Sequence, residues 1–384
     1  MKPQRRALLL GAAGWCAQAT SRAAPPTGAP AAAPDNDGED RVRSGRVLRF
    51  PRDHGAHLAA RIEWWYATGW LGRPDAPTHG FQLTFFRSAT GLAANLNSRF
   101  APRQLLFAHA ALTTLPGANG KPAGSHLHDQ RIQRWSGASD AVLARAAVGD
   151  ADVVLGNWSL RREGPLWRAD LPAGGFRLGV TLTRTQAVLL QGDAGYSRKG
   201  PDAGQASHYY SEPQLAAAVT LQVGSNAPPV QSQGRAWLDH EWSNQLLHPQ
   251  AVGWDWMGIN FFDGSALTVF VLRRADGSAL WAGGSFRSAS GVLQVFAPAQ
   301  VRLQALRKWR SPGSGADYPV HWQVDCPAGS FQVRALLDAQ ELDSSSSTGT
   351  IYWEGLSELT DARDLRLGLG YLEMTGYARR LQLP

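Results

Sequence analysis

Apolar and polar residues alternate with a period of two over much of this chain. Phe81-Gln82-Leu83-Thr84-Phe85 and Phe176-Arg177-Leu178-Gly179-Val180-Thr181-Leu182 are the cleanest runs. That spacing places every second side chain on one face of a β-strand. Residues 105–112, 153–160 and 167–171 read as further strands. Clusters of Gly, Pro, Asp and Asn separate them at hairpin spacing, as at Arg73-Pro74-Asp75, Gly117-Ala118-Asn119-Gly120 and residues 172–175. Residues 140–148 predict one short helix. No glycine-rich phosphate loop and no βα alternation occur, which argues against a nucleotide-binding α/β fold.

Two stretches stand out by their density of aromatic residues. One is Glu63-Trp64-Trp65-Tyr66-Ala67-Thr68-Gly69-Trp70. The other is residues 234–259, where Trp237, Trp242, Trp254 and Trp256 surround Asp239-His240-Glu241. The two also anchor a weak internal repeat. An aromatic strand, a turn, an alternating strand and an Arg occur at residues 63–87 and again at residues 254–273. Each half then closes on an aromatic segment, Tyr209-Tyr210-Ser211-Glu212 and Tyr352-Trp353-Glu354-Gly355. Two similar β modules follow from this, over 45–228 and 229–384, with the boundary in the Ser, Asn, Pro and Gln-rich residues 222–234. Antiparallel sheets of this length must hide their edges, and closure into barrels is the natural solution.

Composition narrows the class. At 43% hydrophobic and 18% charged residues the chain is globular; 41 Gly and 23 Pro against 3 Met favour a turn-rich β protein. Lys2, Arg5 and Arg6 precede a short apolar run that leads to Ser21-Arg22-Ala23, the pattern of a twin-arginine-like signal peptide over 1–23. Residues 24–44, Ala/Pro-rich and then acidic, read as a solvated linker. Loss of the leader takes four positive charges with it, and the formal charge of +7 falls to +3. No Lys/Arg run then remains to engage nucleic acid, and no segment of the mature chain is apolar enough to span a membrane. The expected location is periplasmic or secreted. One cysteine, Cys326, remains, so no internal disulfide is expected. His54 and His57 read as surface or rim residues.

Carboxyl and imidazole groups among indoles are what a buried ligand site requires, because desolvation shifts their protonation and strengthens their hydrogen bonds. On a strand, Asp239 and Glu241 point to one face and His240 to the other. The sequence leaves two readings of this triplet open, an acid–base group in a pocket or a polar network that buttresses a barrel mouth. His240-Glu241 begins an HExxH-like pattern, but Asn244 stands where the second His belongs, which argues against a zincin site and leaves open only a looser His/carboxylate arrangement; no metal site is assigned and no cofactor is expected. No GxSxG elbow marks a serine hydrolase. The candidate catalytic residues are Asp239, His240 and Glu241. The candidate ligand-binding residues are Glu63, Trp64, Trp65, Tyr209, Tyr210, Trp242, Trp254, Asp255 and Trp256, whose aromatic members suit an apolar ligand or a carbocation.

The segments EWWYATGWL, GFQLTFFR, FAHAALT (107–113), HYYSEPQL (208–215), AWLDHEWS (236–243), VGWDWMGINF (252–261), YPVHWQV (318–324), YWEGLSEL (352–359) and GLGYLEMTGYA (368–378) together resemble the AttH/carotenoid 1,2-hydratase-like family, over residues 45–380. The likeness is nearer to its secreted branch than to the carotenoid-pathway enzymes. It implies an all-β protein of two lipocalin-like antiparallel β-barrels packed together. It also implies an apolar, isoprenoid, carotenoid-like or lipid-like ligand, and acid-initiated hydration of a C=C bond. Asp239 or Glu241 would then be the acid, His240 would orient it or the water, and Trp65, Trp254 and Trp256 would form the walls. The competing expectation is a non-catalytic carrier serving an envelope ABC-transport permease.

Overall fold

A computed structural model describes residues 41–381 apart from 93–97, 99–100, 121, 138–142 and 246. The signal peptide expected over 1–23 and most of the linker lie outside the described residues. The first sheet contains β1 (Ile62–Arg73), β2 (Ala76–Ala89), β3 (Gln104–Thr114), β4 (Ser125–Trp135), β5 (Ala144–Ala146), β6 (Asp152–Leu155) and β7 (Trp158–Glu163). It continues through β8 (Leu166–Pro172), β9 (Phe176–Thr183), β10 (Leu189–Leu190), β11 (Tyr196–Arg198), β12 (Ala206–Val223) and β13 (Val230–Ser243). The second holds β14 (Gly253–Phe261), β15 (Ala266–Arg273), β16 (Ala279–Arg287), β17 (Leu293–Phe296) and β18 (Arg302–Arg310). Its last strands are β19 (Asp317–Cys326), β20 (Gly329–Ala335), β21 (Glu341–Ser344), β22 (Thr350–Thr360) and β23 (Arg366–Met374). Among the described residues helix is confined to three-residue 3₁₀ turns such as Arg52–His54, and none is long and apolar enough to cross a membrane.

All pairings are antiparallel, and the two sheets share a connectivity. In the first, β1 lies between β2 and β13, and β13 lies beside β12. In the second, β14 lies between β15 and β23, and β23 lies beside β22. The repeat read from the sequence is therefore a repeat of topology, each half opening on an aromatic hairpin whose first strand pairs with the last. The end strands β4 and β5 of the first sheet approach one another, so that sheet curls into a nearly closed barrel. The passage from one sheet to the other falls between Ser243 and Gly253. Residues 230–243, assigned from sequence to the second half, pair with β1 and β12 and complete the first sheet. The helix expected over 140–148 is absent where the chain is described: Ala144–Ala146 is β5, paired with β6. Alanine's helical preference is a weak local bias, and sheet pairing overrides it.

Strand parity explains the aromatic-rich stretches. Trp65, Ala67 and Leu71 of β1, with Ala236 and Leu238 of β13, point into the core of the first barrel. Met257 and Ile259 of β14, with Leu372 and Met374 of β23, fill the second. The opposite faces of the same strands meet each other: Tyr66, Trp70 and Trp237 pack with Trp256, Leu356, Leu369 and Tyr371. Strands buried on both faces have no polar side to alternate with. The approach is tight at Gly80, where an added Cβ would stand 2.5 Å from the Tyr371 hydroxyl and 2.9 Å from Leu356 Cβ. Gly80→Ala should therefore wedge the barrels apart and lower stability by about 1–3 kcal/mol in denaturant unfolding.

Candidate active site between the two barrels

The facing sides of the sheets do not close completely. They leave a cavity of about 130 Å³, with room for on the order of ten water molecules. Aromatic side chains from both barrels line it, among them Trp64, Tyr66, Phe86, Tyr209, Trp254 and Trp256. Four carboxyl groups also reach it, Asp239 and Glu241 from β13, Glu354 from β22 and Glu373 from β23.

Parity on β13 decides which members of Asp239-His240-Glu241 face this space. Asp239 is 3% exposed and accepts three hydrogen bonds, from Ser211 Oγ (2.5 Å), Trp237 Nε1 (2.7 Å) and Tyr209 Oη (2.8 Å). Tyr209 Oη in turn accepts from Trp256 Nε1 at 3.1 Å, so a hydrogen-bonded chain runs from the second barrel to the carboxyl of the first. Burial pushes Asp239 up to about 7, against those three bonds and with added repulsion from Glu241. Glu241 forms an ion pair with Lys199, Nζ to Oε1 3.1 Å. The Lys199 ammonium also sits over the rings of Tyr209 (4.6 Å) and Phe270 (4.2 Å). His109 contacts Tyr352 Oη at 2.8 Å, and burial takes it down to about 3, which leaves it neutral.

The structure divides the residues expected from sequence into two groups. Asp239, Glu241, Trp64, Tyr209, Trp254 and Trp256 line the cavity. His240, Glu63, Trp65, Tyr210, Trp242 and Asp255 do not, because each occupies the opposite parity of its strand. The first five of these build a polar network at the end of the first barrel. Glu63 accepts from Arg87 Nε at 2.8 Å and from both His57 Nδ1 (2.7 Å) and His240 Nε2 (3.0 Å). The His57 ring stacks on Trp242 at 3.6 Å, Trp65 Nε1 donates to the His54 carbonyl at 2.9 Å, and Tyr210 Oη meets His54 Nδ1 at 2.6 Å. His54 and His57 are thus fully buried and not at the surface. Their segment folds over the barrel end, and its polar groups find partners there, as burial requires. Asp255 faces the second core, held by Arg273 Nε (2.9 Å) and the Tyr377 hydroxyl (3.0 Å). Burial raises it to about 6 against the Arg273 charge.

His57, Glu63 and His240 offer ligand atoms within 4.8 Å of one another, a spacing that a cation can bridge. The donor set is already spent. Arg87 places a guanidinium on Glu63, and His57 Nε2 is engaged by Asp53 at 3.0 Å. A divalent ion would have to displace these partners beside a fixed positive charge. Added zinc should leave the thermal midpoint unchanged, and elemental analysis should find no stoichiometric metal in the purified protein.

Sequence reasoning missed Lys199, Tyr66, Glu354 and Glu373. Parity was the available signal: Glu354 and Glu373 follow the core-facing Trp353 and Leu372 by one residue, in motifs already singled out.

The sequence profile of the AttH-like family matches residues 41–377. The crystal structure of an AttH candidate from Nitrosomonas europaea superposes with a TM-score of 0.79 at 44% identity, over 88% of this chain and 99% of that one. Kievitone hydratase from Nectria haematococca superposes with a TM-score of 0.63 at 13% identity, over 88% and 94% of the respective chains. That second likeness is one of fold, and its fold is the lipocalin-like one. No curated protein sequence matches the chain.

Proposed function

The chain belongs to the AttH-like family, and from that premise and the inter-barrel cavity we propose that it is an exported protein that binds an apolar alkene and hydrates a C=C bond. The observation that carries this reading is the carboxyl of Asp239, buried among indoles, titrating near neutrality and lying on the same strand face as the ion-paired Glu241. A general acid is most effective when it titrates near the working pH. Asp239 protonates one alkene carbon, and the positive charge develops on the other. The faces of Trp64, Trp254 and Trp256 stabilise that cation. Water adds to it, and the Glu241 carboxylate takes the proton that the water loses. The product is the alcohol, and the proton on Glu241 restores Asp239. His240 and Trp65 act from behind the strands and hold them in register.

One observation favours a second reading. Both oxygens of Asp239 are engaged by three donors, an arrangement that also suits a fixed structural carboxyl. In that case the protein is a non-catalytic carrier, and an envelope ABC-transport permease is its expected partner. Mass spectrometry of an organic extract of the protein, purified without detergent from the cells that make it, separates the two. An alkene together with its hydrated product supports hydration. A single unmodified apolar species supports the carrier. A polar ligand overturns both.

A further inference from the structure

Two of the four carboxyl groups in the cavity have no part in the proposed reaction. Glu354 and Glu373 stand directly opposite one another in the β22–β23 register, which brings their Cβ atoms to about 5 Å. Glu354 is 2% exposed, and its Oε1 has no hydrogen-bond partner. The hydroxyl of Tyr66, 5% exposed on the facing strand β1, interacts with the Glu354 carboxyl but lies outside full hydrogen-bond distance of it. Glu373 accepts one bond, from Trp254 Nε1 at 3.1 Å. Among the described residues no cation pairs with either carboxyl, since Lys199 is engaged by Glu241 and Arg87 by Glu63. The other titratable groups around the pair are Asp239 and Glu241 from β13 and the phenols Tyr352 and Tyr371.

Two adjacent carboxyls without a counter-ion in an apolar cavity retain their protons, because burial and mutual repulsion both oppose ionisation. Burial raises both groups, and the Glu373 charge raises Glu354 further. A neutral carboxyl group carries an O–H donor. A buried donor that lacks a well-placed acceptor costs about 1–3 kcal/mol until an oxygen meets it.

We propose that Glu354 and Glu373, with the Tyr66 hydroxyl, form a subsite for an uncharged oxygen on the ligand. The ligand is then an amphipathic molecule with an apolar unsaturated body and a hydroxyl or carbonyl group, not a plain hydrocarbon. This inference rests on the reading of the cavity as the ligand site and narrows what enters it.

Farnesol and farnesene, an isoprenoid alcohol and a hydrocarbon of the same chain length, test it through quenching of tryptophan fluorescence in the intact protein. Near neutral pH the wild type should bind farnesol about tenfold more tightly, the worth of one to two good hydrogen bonds. The preference should fade as rising pH ionises the pair. Glu354→Gln keeps a neutral donor, so it should keep the preference and weaken its pH dependence, with Glu373 left as the one member of the pair that ionises. Glu354→Leu and Tyr66→Phe should each erode the preference, the first to near parity. Infrared spectra should show the carbonyl band of a neutral carboxylic acid at neutral pH, weakened in Glu354→Gln. Equal binding of the two probes by the wild type, or absence of that band, overturns the subsite and leaves the apolar cavity standing. Failure of both probes to bind overturns the subsite and the apolar-ligand reading together.

Discussion

Glu63→Gln should lower the unfolding free energy by about 3–5 kcal/mol, the cost of stranding one partner of a buried ion pair. Arg87 loses the carboxylate that faces its Nε at 2.8 Å, and both side chains are fully buried. Water cannot reach the guanidinium to compensate. His57 and His240 lose the same acceptor, so the folded-over segment that carries Asp53, His54 and His57 should loosen as well. Burial opposes the Glu63 charge, yet Arg87, and after it His240 and His57, hold the carboxyl well below the usual carboxylate range. Its stabilising contribution is therefore complete above the ordinary glutamate value and is lost as pH falls through the depressed one. Urea titrations across the acid range should show that limb in the wild type and a flatter one in Glu63→Gln. Arg87→Met should cost a similar amount, and the double variant clearly less than the sum, because the two substitutions break one interaction. Additive costs would show that the pair is not coupled.

Asp239→Asn should reduce alkene hydration by about 10²–10⁴-fold, the usual worth of a general acid, without unfolding the protein. Glu241→Gln should reduce it as well, through loss of the base. Retained turnover in both variants removes these carboxyls from the mechanism. Stability should move in the opposite sense to activity. The Asp239 carboxyl titrates at about 7 in the fold against 3.8 ordinarily. Folding therefore favours its neutral form, and the associated stability is fully present below the ordinary value and is lost as pH rises through about 7. The shift corresponds to on the order of 4 kcal/mol. The difference in unfolding free energy between Asp239→Asn and the wild type should thus grow in favour of the variant between mildly acidic and alkaline pH. A pH-independent difference would mean that Asp239 is ionised throughout.

The proposed chemistry depends on a sheet that is buried twice. β1 and β13 wall the first barrel with Trp65 and Leu238 and present Tyr66 and Asp239 to the second. An acid on such a strand lies in low dielectric wherever it points, so its partners decide its state. Glu63, beside Arg87, is held ionised. Asp239, which meets only neutral donors and a like charge, is poised near neutrality. Glu354 and Glu373, which meet each other, are pushed towards the neutral form.

The period-two alternation, the paired aromatic hairpins and the spacing of turn residues were enough to establish an all-β chain of two related sheets. These are local signals that rest on the geometry of one strand. The same geometry already separated Asp239 and Glu241 from His240. It does not reveal which face of β13 meets the second barrel, and so the sequence groups Glu63, Trp65, Tyr210 and Trp242 with the ligand site although they belong to the barrel end. The sequence offers the surface or a rim for His54 and His57, whereas their burial comes from a fold-back onto β12 and β13, more than a hundred residues away. Glu354 and Glu373 stood in recognisable motifs with nothing nearby to mark them. Their significance comes from facing each other across β22 and β23 and facing Tyr66 across the barrel interface. Strand identity and parity follow from residues close in sequence, whereas a carboxyl's charge state and partners follow from dielectric and long-range contacts, which only the packed tertiary structure decides.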